Sequence, residues 1–228
     1  MTNTYVFAGA SSLMAIKTAT LLKAAGHRVI GISTKQNLEG YDAVYSLEKY
    51  GAPDFPTIDE PIDGLVYFPG TINLKPFHRF SDADFQTDFD VNVLGAVHFI
   101  QSYLPILKRS KQGAIVLISS VAAQTGMPFH ASIAMAKGAI EALTRSLAAE
   151  FAPAIRVNAI APSLTDTPLA KRFVDTPEKL EASRQRNPSK MVGDAEQLAG
   201  AIAFLLSSQS SWITGQVLAV DGGMGTLK

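Results

Sequence analysis

The sequence predicts an α/β fold: a doubly wound, mostly parallel sheet with helices on both faces, in three α/β/α layers. Two observations point there. Strand-like runs alternate with helical patterns along the chain, the order that builds a parallel sheet covered by crossover helices. The 228 residues fall in the range of one domain and carry no internal repeat, low-complexity tract or interdomain linker. One unit over 1–228 with a single core is therefore expected.

Strand-like runs lie at 5–8, 28–32, 64–68, 114–119, 155–160 and 217–220, with a short further one at 43–47. Helical patterns fill 13–25, 82–109, 132–151 and 195–206. Two segments break the rhythm. Residues 34–62 hold Pro53, Pro56 and Pro61 and no full crossover helix, so that part of the fold reads as trimmed. Residues 162–188 are polar, carry Pro162, Pro168, Pro177 and Pro188, and read as a loop with one or two short helices. In a doubly wound sheet such a stretch after a strand's carboxyl end lies over the ligand crevice, which makes it the candidate lid.

Lys plus Arg and Asp plus Glu number 20 each, scattered rather than blocked, for a net charge of +0. That balance offers no footprint for nucleic acid and no polybasic patch for a membrane, so a small-molecule substrate is the expected partner. The absence of cysteine rules out disulfides, thiolate metal sites and thiol nucleophiles. No cluster of His and carboxylates has metal-ligand spacing, and no metal is expected. The N-terminus lacks a basic region followed by an apolar run and cleavage site. No apolar stretch is long enough to span a bilayer, so a soluble, cytoplasmic protein is the expectation.

The first strand runs into A-G-A-S-S-L-M-A at 8–15, which becomes a helix. A strand, tight turn and helix start bring unpaired backbone N–H groups together on an anion. Gly9 can make the turn, and Ser11 and Ser12 offer hydroxyls. The second strand ends in Ser33, Thr34 and Lys35, with no acid to accept from an adenosine ribose. A lysine among hydroxyls suits a 2′-phosphate better, which favours NADP while leaving NAD open.

Farther on come Y-F-P-G at 67–70, D-V-N-V-L-G at 90–95, G-A-I-V-L-I-S-S at 113–120 and A-K-G-A-I-E-A-L-T-R-S-L-A-A-E at 136–150. R-V-N-A-I-A-P-S-L-T-D-T-P at 156–168 and W-I-T-G-Q-V-L-A-V-D-G-G at 212–223 follow. In order and spacing, across nearly the whole chain, these blocks resemble the short-chain dehydrogenases/reductases, whose fold is Rossmann-type. The resemblance implies an NAD(P)-linked oxidoreductase acting on a small carbonyl, alcohol or enoyl substrate. It places Ser120 and Lys137 in the proton-transfer site, with Lys137 also on the cofactor ribose, and sets Asn92 behind Lys137 through a water. Gly70 matches the last residue of the family's N-N-A-G block, and Leu164, Thr165 and Thr167 fall beside the nicotinamide. Family members commonly associate through the two long helices, which implies a homodimer or homotetramer.

Two positions depart from that pattern. The family tyrosine, four residues before the lysine, is Ile133 here, and no tyrosine follows Tyr103. Glycines of the family's T-G-x-x-x-G-x-G fall on Leu13 and Ala15, and Leu13 puts a branched side chain where pyrophosphate would approach.

Carbonyl reduction needs a proton donor, a group polarising the oxygen and a nearby cation. Ser120 and Lys137 can supply the last two, but Ile133 cannot donate a proton. His130 is the nearest substitute, seven residues before Lys137 and on nearly the same face of a helix that begins early enough. In the divergent enoyl-acyl-carrier-protein reductases of the same superfamily the tyrosine stands at that spacing, and an imidazole donates near neutral pH. Ser132 reads as an N-cap, and Glu141 with Arg145 as a surface pair one turn apart. Two readings stand at this point. One is an altered catalyst; the other is a retired member that binds a dinucleotide or other ligand as a sensor or assembly subunit.

Overall fold

The computed structural model describes residues 2–227. Among them run β1 (Thr4–Ala8), β2 (Arg28–Ser33), β3 (Ala43–Ser46), β4 (Gly64–Tyr67), β5 (Gly113–Ile118), β6 (Ile155–Pro162) and β7 (Val217–Val220). They form one parallel sheet in the order β3-β2-β1-β4-β5-β6-β7. The order reverses between β1 and β4, so the carboxyl ends of those strands border the crevice where doubly wound sheets take their ligands.

Each face of the sheet has its own apolar layer. On one, α1 (Leu13–Ala24) and α6 (Ala195–Leu206) bury Ala15, Ala19, Leu198 and Ile202 against Tyr5, Phe7 and Val66. On the other, α3 (Gly95–Leu107) and α4 (Ala131–Phe151) bury Phe99, Tyr103, Ala136 and Ile140 against Val6, Leu65 and Leu117. β5 lies between the layers and is buried at every position, as a parallel strand covered on both faces must be. The expected three-layer α/β/α architecture is present.

The trimmed segment also behaves as expected, since no helix forms between β2 and β4. Its coil covers the sheet instead: Leu47, Ile58 and Ile62 join the buried layer. Phe55 packs on Phe99 at 5.4 Å between ring centroids, and the Tyr103 hydroxyl donates to the Pro56 carbonyl at 2.6 Å. Prolines lack the N–H a helix ladder needs, so the segment buries its apolar side chains without regular structure. The candidate lid carries a 3-10 turn, Pro168–Phe173, and α5 (Pro177–Arg186).

One expected element is divided. The pattern over 82–109 is not a single helix but α2 (Asp82–Phe89), a π turn at Asp90–Leu94, and α3. A π turn inserts an extra residue and shifts the backbone ladder, so carbonyls there need other donors. The Tyr67 hydroxyl takes the Val91 carbonyl at 2.6 Å, and Asn92 Nδ2 takes the Asp88 carbonyl at 2.7 Å. Average apolar spacing cannot register a local insertion of this kind, but the insertion turns Asn92 into the crevice wall.

Candidate active site

At one end of the crevice, β1 turns through Gly9, whose φ of 80° is the left-handed region that favours glycine. The amides of Gly9 and Ala10 donate to the Ile32 carbonyl at 2.9 and 3.1 Å, which ties the turn to β2. Ser12 is the N-cap of α1 but makes no side-chain cap bond. The first amides of the helix therefore stay available beside the half-exposed hydroxyls of Ser11 and Ser12, with Leu13 half-buried at the helix start.

The three residues at the end of β2 and just beyond it separate. Thr34 and Lys35 are exposed, whereas Ser33 is fully buried and its hydroxyl accepts from the Lys35 amide at 3.0 Å. The Tyr50 phenol, from the trimmed segment, donates at 3.5 Å to the Ile32 carbonyl, the same carbonyl that takes the Gly9 and Ala10 amides. A second phenol, Tyr41, donates to the Ala10 carbonyl at 2.7 Å. Burial pushes both phenols above their usual pKa. These two tyrosines carry no motif, and nothing in the local sequence marks them as neighbours of the turn.

At the other end, Ser120 follows β5 in extended conformation, and its Oγ accepts from the Ala122 amide at 3.2 Å. Lys137, on α4, is only 7% exposed, and its Nζ donates to the Ile118 carbonyl at 2.8 Å. That bond brings the lysine to the strand end from which Ser120 emerges. Burial lowers the Lys137 pKa from its usual 10.5 to about 8, with the Asp88 charge acting in the opposite direction. Ile133, one turn earlier on α4, is 5% exposed.

Gly70 lies between Asn92 and Lys137. A Cβ there would stand 3.2 Å from Asn92 Oδ1 and 3.4 Å from Lys137 Nζ. Glycine thus leaves a cradle onto which an acceptor and a cation both face. Asn92 Oδ1 is buried and has no hydrogen-bond partner among the described residues, so it is an acceptor kept for another group. Asn92, Gly70, Ser120 and Lys137 are thereby gathered on one wall. His130 stands apart from the helix: it is the N-cap of α4, half-buried, with Nδ1 at 2.7 Å from the Pro128 carbonyl. A proton on Nδ1 there leaves Nε2 for another partner.

Two expectations on α4 are corrected. Ser132 is not the N-cap, because the helix starts one residue earlier; its side chain is fully buried and donates to Asp88 Oδ2 at 2.6 Å. Glu141 is not a surface partner of Arg145. It is 6% exposed, because α4 there lies against the turn after β5, and it accepts from Ser119 Oγ at 2.9 Å and Gln124 Nε2 at 3.0 Å. These bonds pin both sides of Ser120 to α4. Asp88 and Thr71 were not singled out by the sequence, yet Thr71 Oγ1 donates to Asp88 Oδ1 at 2.5 Å and accepts from Asn92 Nδ2 at 2.9 Å.

The lid starts where β6 ends. Thr165 is buried, its Oγ1 donating to the Ser163 carbonyl at 3.1 Å, while Leu164 and Thr167 are half-buried. Arg172 of the 3-10 turn donates to the Ile72 carbonyl at 2.7 Å, closing the lid onto the chain that follows Gly70. A cavity of about 520 Å³ opens beside it, lined by Ser163, Asn187, Met191, Gln197 and Asp221 among others. Neither Ser120 nor Lys137 lines that cavity. No group of His, Asp and Glu placed to hold a metal occurs among the described residues. Nor is any described helix long and apolar enough to cross a membrane.

Comparison with known proteins matches this arrangement. The family model described as enoyl-(acyl carrier protein) reductase matches residues 9–225. A tropinone reductase homologue of Arabidopsis thaliana is 35% identical over 173 residues, covering 74% of this chain and 56% of that protein. Two further Arabidopsis homologues are covered over 50% and 62% of their lengths, so the chain spans little more than half of these curated relatives. The ligand-free aldohexose dehydrogenase of Thermoplasma acidophilum superposes with a TM-score of 0.90 at 26% identity, covering 100% of this chain and 95% of that one. A putative 2-deoxy-D-gluconate 3-dehydrogenase of Agrobacterium tumefaciens, solved with bound NADP, gives 0.87 at 28% identity, covering 97% and 96%. The crevice walls, the strand order and the matched family model together show that the chain belongs to the short-chain dehydrogenase/reductase superfamily, which uses NAD(P).

Proposed function

We propose that the chain is an NADP(H)-linked oxidoreductase that interconverts a small carbonyl or enoyl compound with its reduced form, as an atypical family member with Ile133 in place of the usual tyrosine. The observation that carries this reading is the cradle over Gly70, where Asn92 Oδ1 and Lys137 Nζ stay open to a further group beside Ser120. A nicotinamide dinucleotide, when bound, supplies or takes the hydride. Gly9, Ser11, Ser12 and the first amides of α1 suit its pyrophosphate, and Thr34 and Lys35 its 2′-phosphate, while Ser33, fully buried, is withdrawn from that set. Gly70, Leu164, Thr165 and Thr167 would flank the nicotinamide. Lys137 would hold the ribose hydroxyls, Ser120 would donate to the substrate oxygen, and His130 would deliver the proton that Ile133 cannot. A cytoplasmic homodimer or homotetramer is proposed with it.

A second reading, a dinucleotide or other ligand held without turnover, is favoured by two observations. Ile133 is packed in the core, and the Tyr50 phenol shares the Ile32 carbonyl with the Gly9 turn.

Calorimetry with NADPH and NADH, followed by turnover on a panel of ketones, aldoses and enoyl thioesters, separates the two. NADPH binding with turnover that His130→Ala abolishes, at unchanged dinucleotide affinity, is the expected result. Turnover untouched by His130→Ala removes the histidine from the mechanism, and NADPH binding without turnover gives the second reading.

A further inference from the structure

We infer that Asp88 is a positioning residue of this site: its carboxylate, gripped between Thr71 and Ser132, orders the Asn92 amide and holds the start of the helix that carries Lys137. Asp88 is 2% exposed and forms no ion-pair contact among the described residues. Its oxygens are instead divided between two hydroxyls, Thr71 Oγ1 at 2.5 Å and Ser132 Oγ at 2.6 Å. A carboxylate this deep is costly unless opposite charge lies near and its lone pairs are satisfied.

The hydrogen-bond logic runs one way from the carboxylate. The single Thr71 proton goes to Asp88 Oδ1, so toward Asn92 the threonine can only accept. Asn92 must then present Nδ2 to Thr71, and the Asp88 carbonyl takes the other amide proton. Oδ1 is left facing the Gly70 cradle beside Lys137. On the other side, Ser132 is the residue before Ile133, so the same carboxylate fixes the first turn of α4, on which Lys137 rides.

The other ionisable groups around Lys137 have hydrogen-bond partners of their own. β5 and the 121–123 turn carry none, and on β6 Arg156 is spent on the carbonyls after α6. Asp90 of the π turn is held by Gln86, Glu141 of α4 by Ser119 and Gln124, and His130 by the Pro128 carbonyl. The Asp88 charge is the one that offsets the effect of burial on the lysine.

What Asp88 does for turnover rests on the oxidoreductase reading; the coupling to Lys137 does not, and it can be read without cofactor. The experiment follows the Lys137 side chain by NMR as pH is raised, in the wild type and in Asp88→Asn. The wild-type midpoint is expected near 8. In the variant it should fall by at least about half a unit, roughly threefold weaker proton binding. An unchanged midpoint in a folded variant overturns the inference. Because replacing a buried carboxylate can unfold the chain, a second measurement uses the wild type alone. The carboxyl carbon of Asp88 should shift with the same midpoint as Lys137, and a carbon that ignores that transition also overturns the inference. Failure of NADPH to bind would count against the oxidoreductase reading and leave this result standing.

Discussion

The two ends of the crevice are built by different means. The proposed dinucleotide end is backbone: a glycine turn, uncapped amides at the start of α1, and two phenols of the trimmed segment bonded to the carbonyls of Ala10 and Ile32. The proposed catalytic end is side chain, with α2, the π turn, β5 and α4 locked by buried bonds among Asp88, Thr71, Asn92, Ser132 and Lys137. A backbone site depends little on the identity of its side chains, because each amide acts without its neighbours. A network of buried polar groups is all or nothing, since a lost member leaves its partner unsatisfied in low dielectric. Substitutions should therefore have large effects at the catalytic end and small ones at the dinucleotide end.

The largest effect is expected at Lys137. In the unfolded chain its ammonium keeps its proton up to about pH 10.5 and in the folded protein to about 8. Between those values the unfolded state holds more protons, so this group makes stability rise with pH and weighs fully against folding below 8. The difference corresponds to about 3 kcal/mol. Comparing wild type with Lys137→Met by denaturant titration should show the wild type gaining about that much, relative to the variant, between pH 7 and 10.5. A difference that stays flat with pH would falsify the burial of a charged lysine.

Ser132→Ala comes next. It removes one of two donors to a buried carboxylate and should cost about 1–3 kcal/mol, read as an earlier urea midpoint with an unchanged slope. A loss under about half a kcal/mol, the size expected at an ordinary exposed position, would mean that the network is not the tight unit its distances describe.

This contrast also explains what was legible in the sequence. The strands were readable because each is a local apolar run, and Ser120 and Lys137 because their blocks keep a recognisable spacing. Ser132 and Glu141 were misread by local rules: a serine near a helix start suggests a cap, and a glutamate four residues before an arginine suggests a surface pair. What decided both was a partner far along the chain, Asp88 for one and Ser119 for the other. Asp88 and Thr71 had no signal at all, since neither makes sense until α2, the chain after Gly70 and α4 meet. The split of 82–109 was hidden because a π turn alters the phase of a helix without changing its composition. Tyr50 escaped for the reason Asp88 did, as its contact with the Gly9 turn spans the whole of β2 and β3.

Tyr50 tests the dinucleotide end. If its phenol merely covers the turn, a ligand must displace it, and Tyr50→Ala should tighten NADPH binding by up to about tenfold by removing the closed population. The unfolding midpoint should be followed in parallel, because the ring also packs edge-on to Tyr67 at 6.4 Å. Weaker binding in a folded variant would reverse the assignment and make the phenol part of the binding surface, so the dinucleotide end would depend on side chains after all.

The smallest effect is expected at Lys35. Its side chain is exposed and forms no ion pair among the described residues, so Lys35→Ala should leave the unfolding midpoint unchanged. A 2′-phosphate beside it would gain a screened, solvent-exposed attraction of about 1 kcal/mol or less, which amounts to roughly a fivefold preference for NADPH over NADH. The substitution should bring the two affinities together by weakening NADPH and sparing NADH, and added salt should do the same to the wild type. Equal affinities in the wild type at low salt would remove Lys35 from cofactor choice. A preference that survives both the substitution and salt would place 2′-phosphate recognition on less exposed groups, with Thr34 and the amides after β2 the next to test.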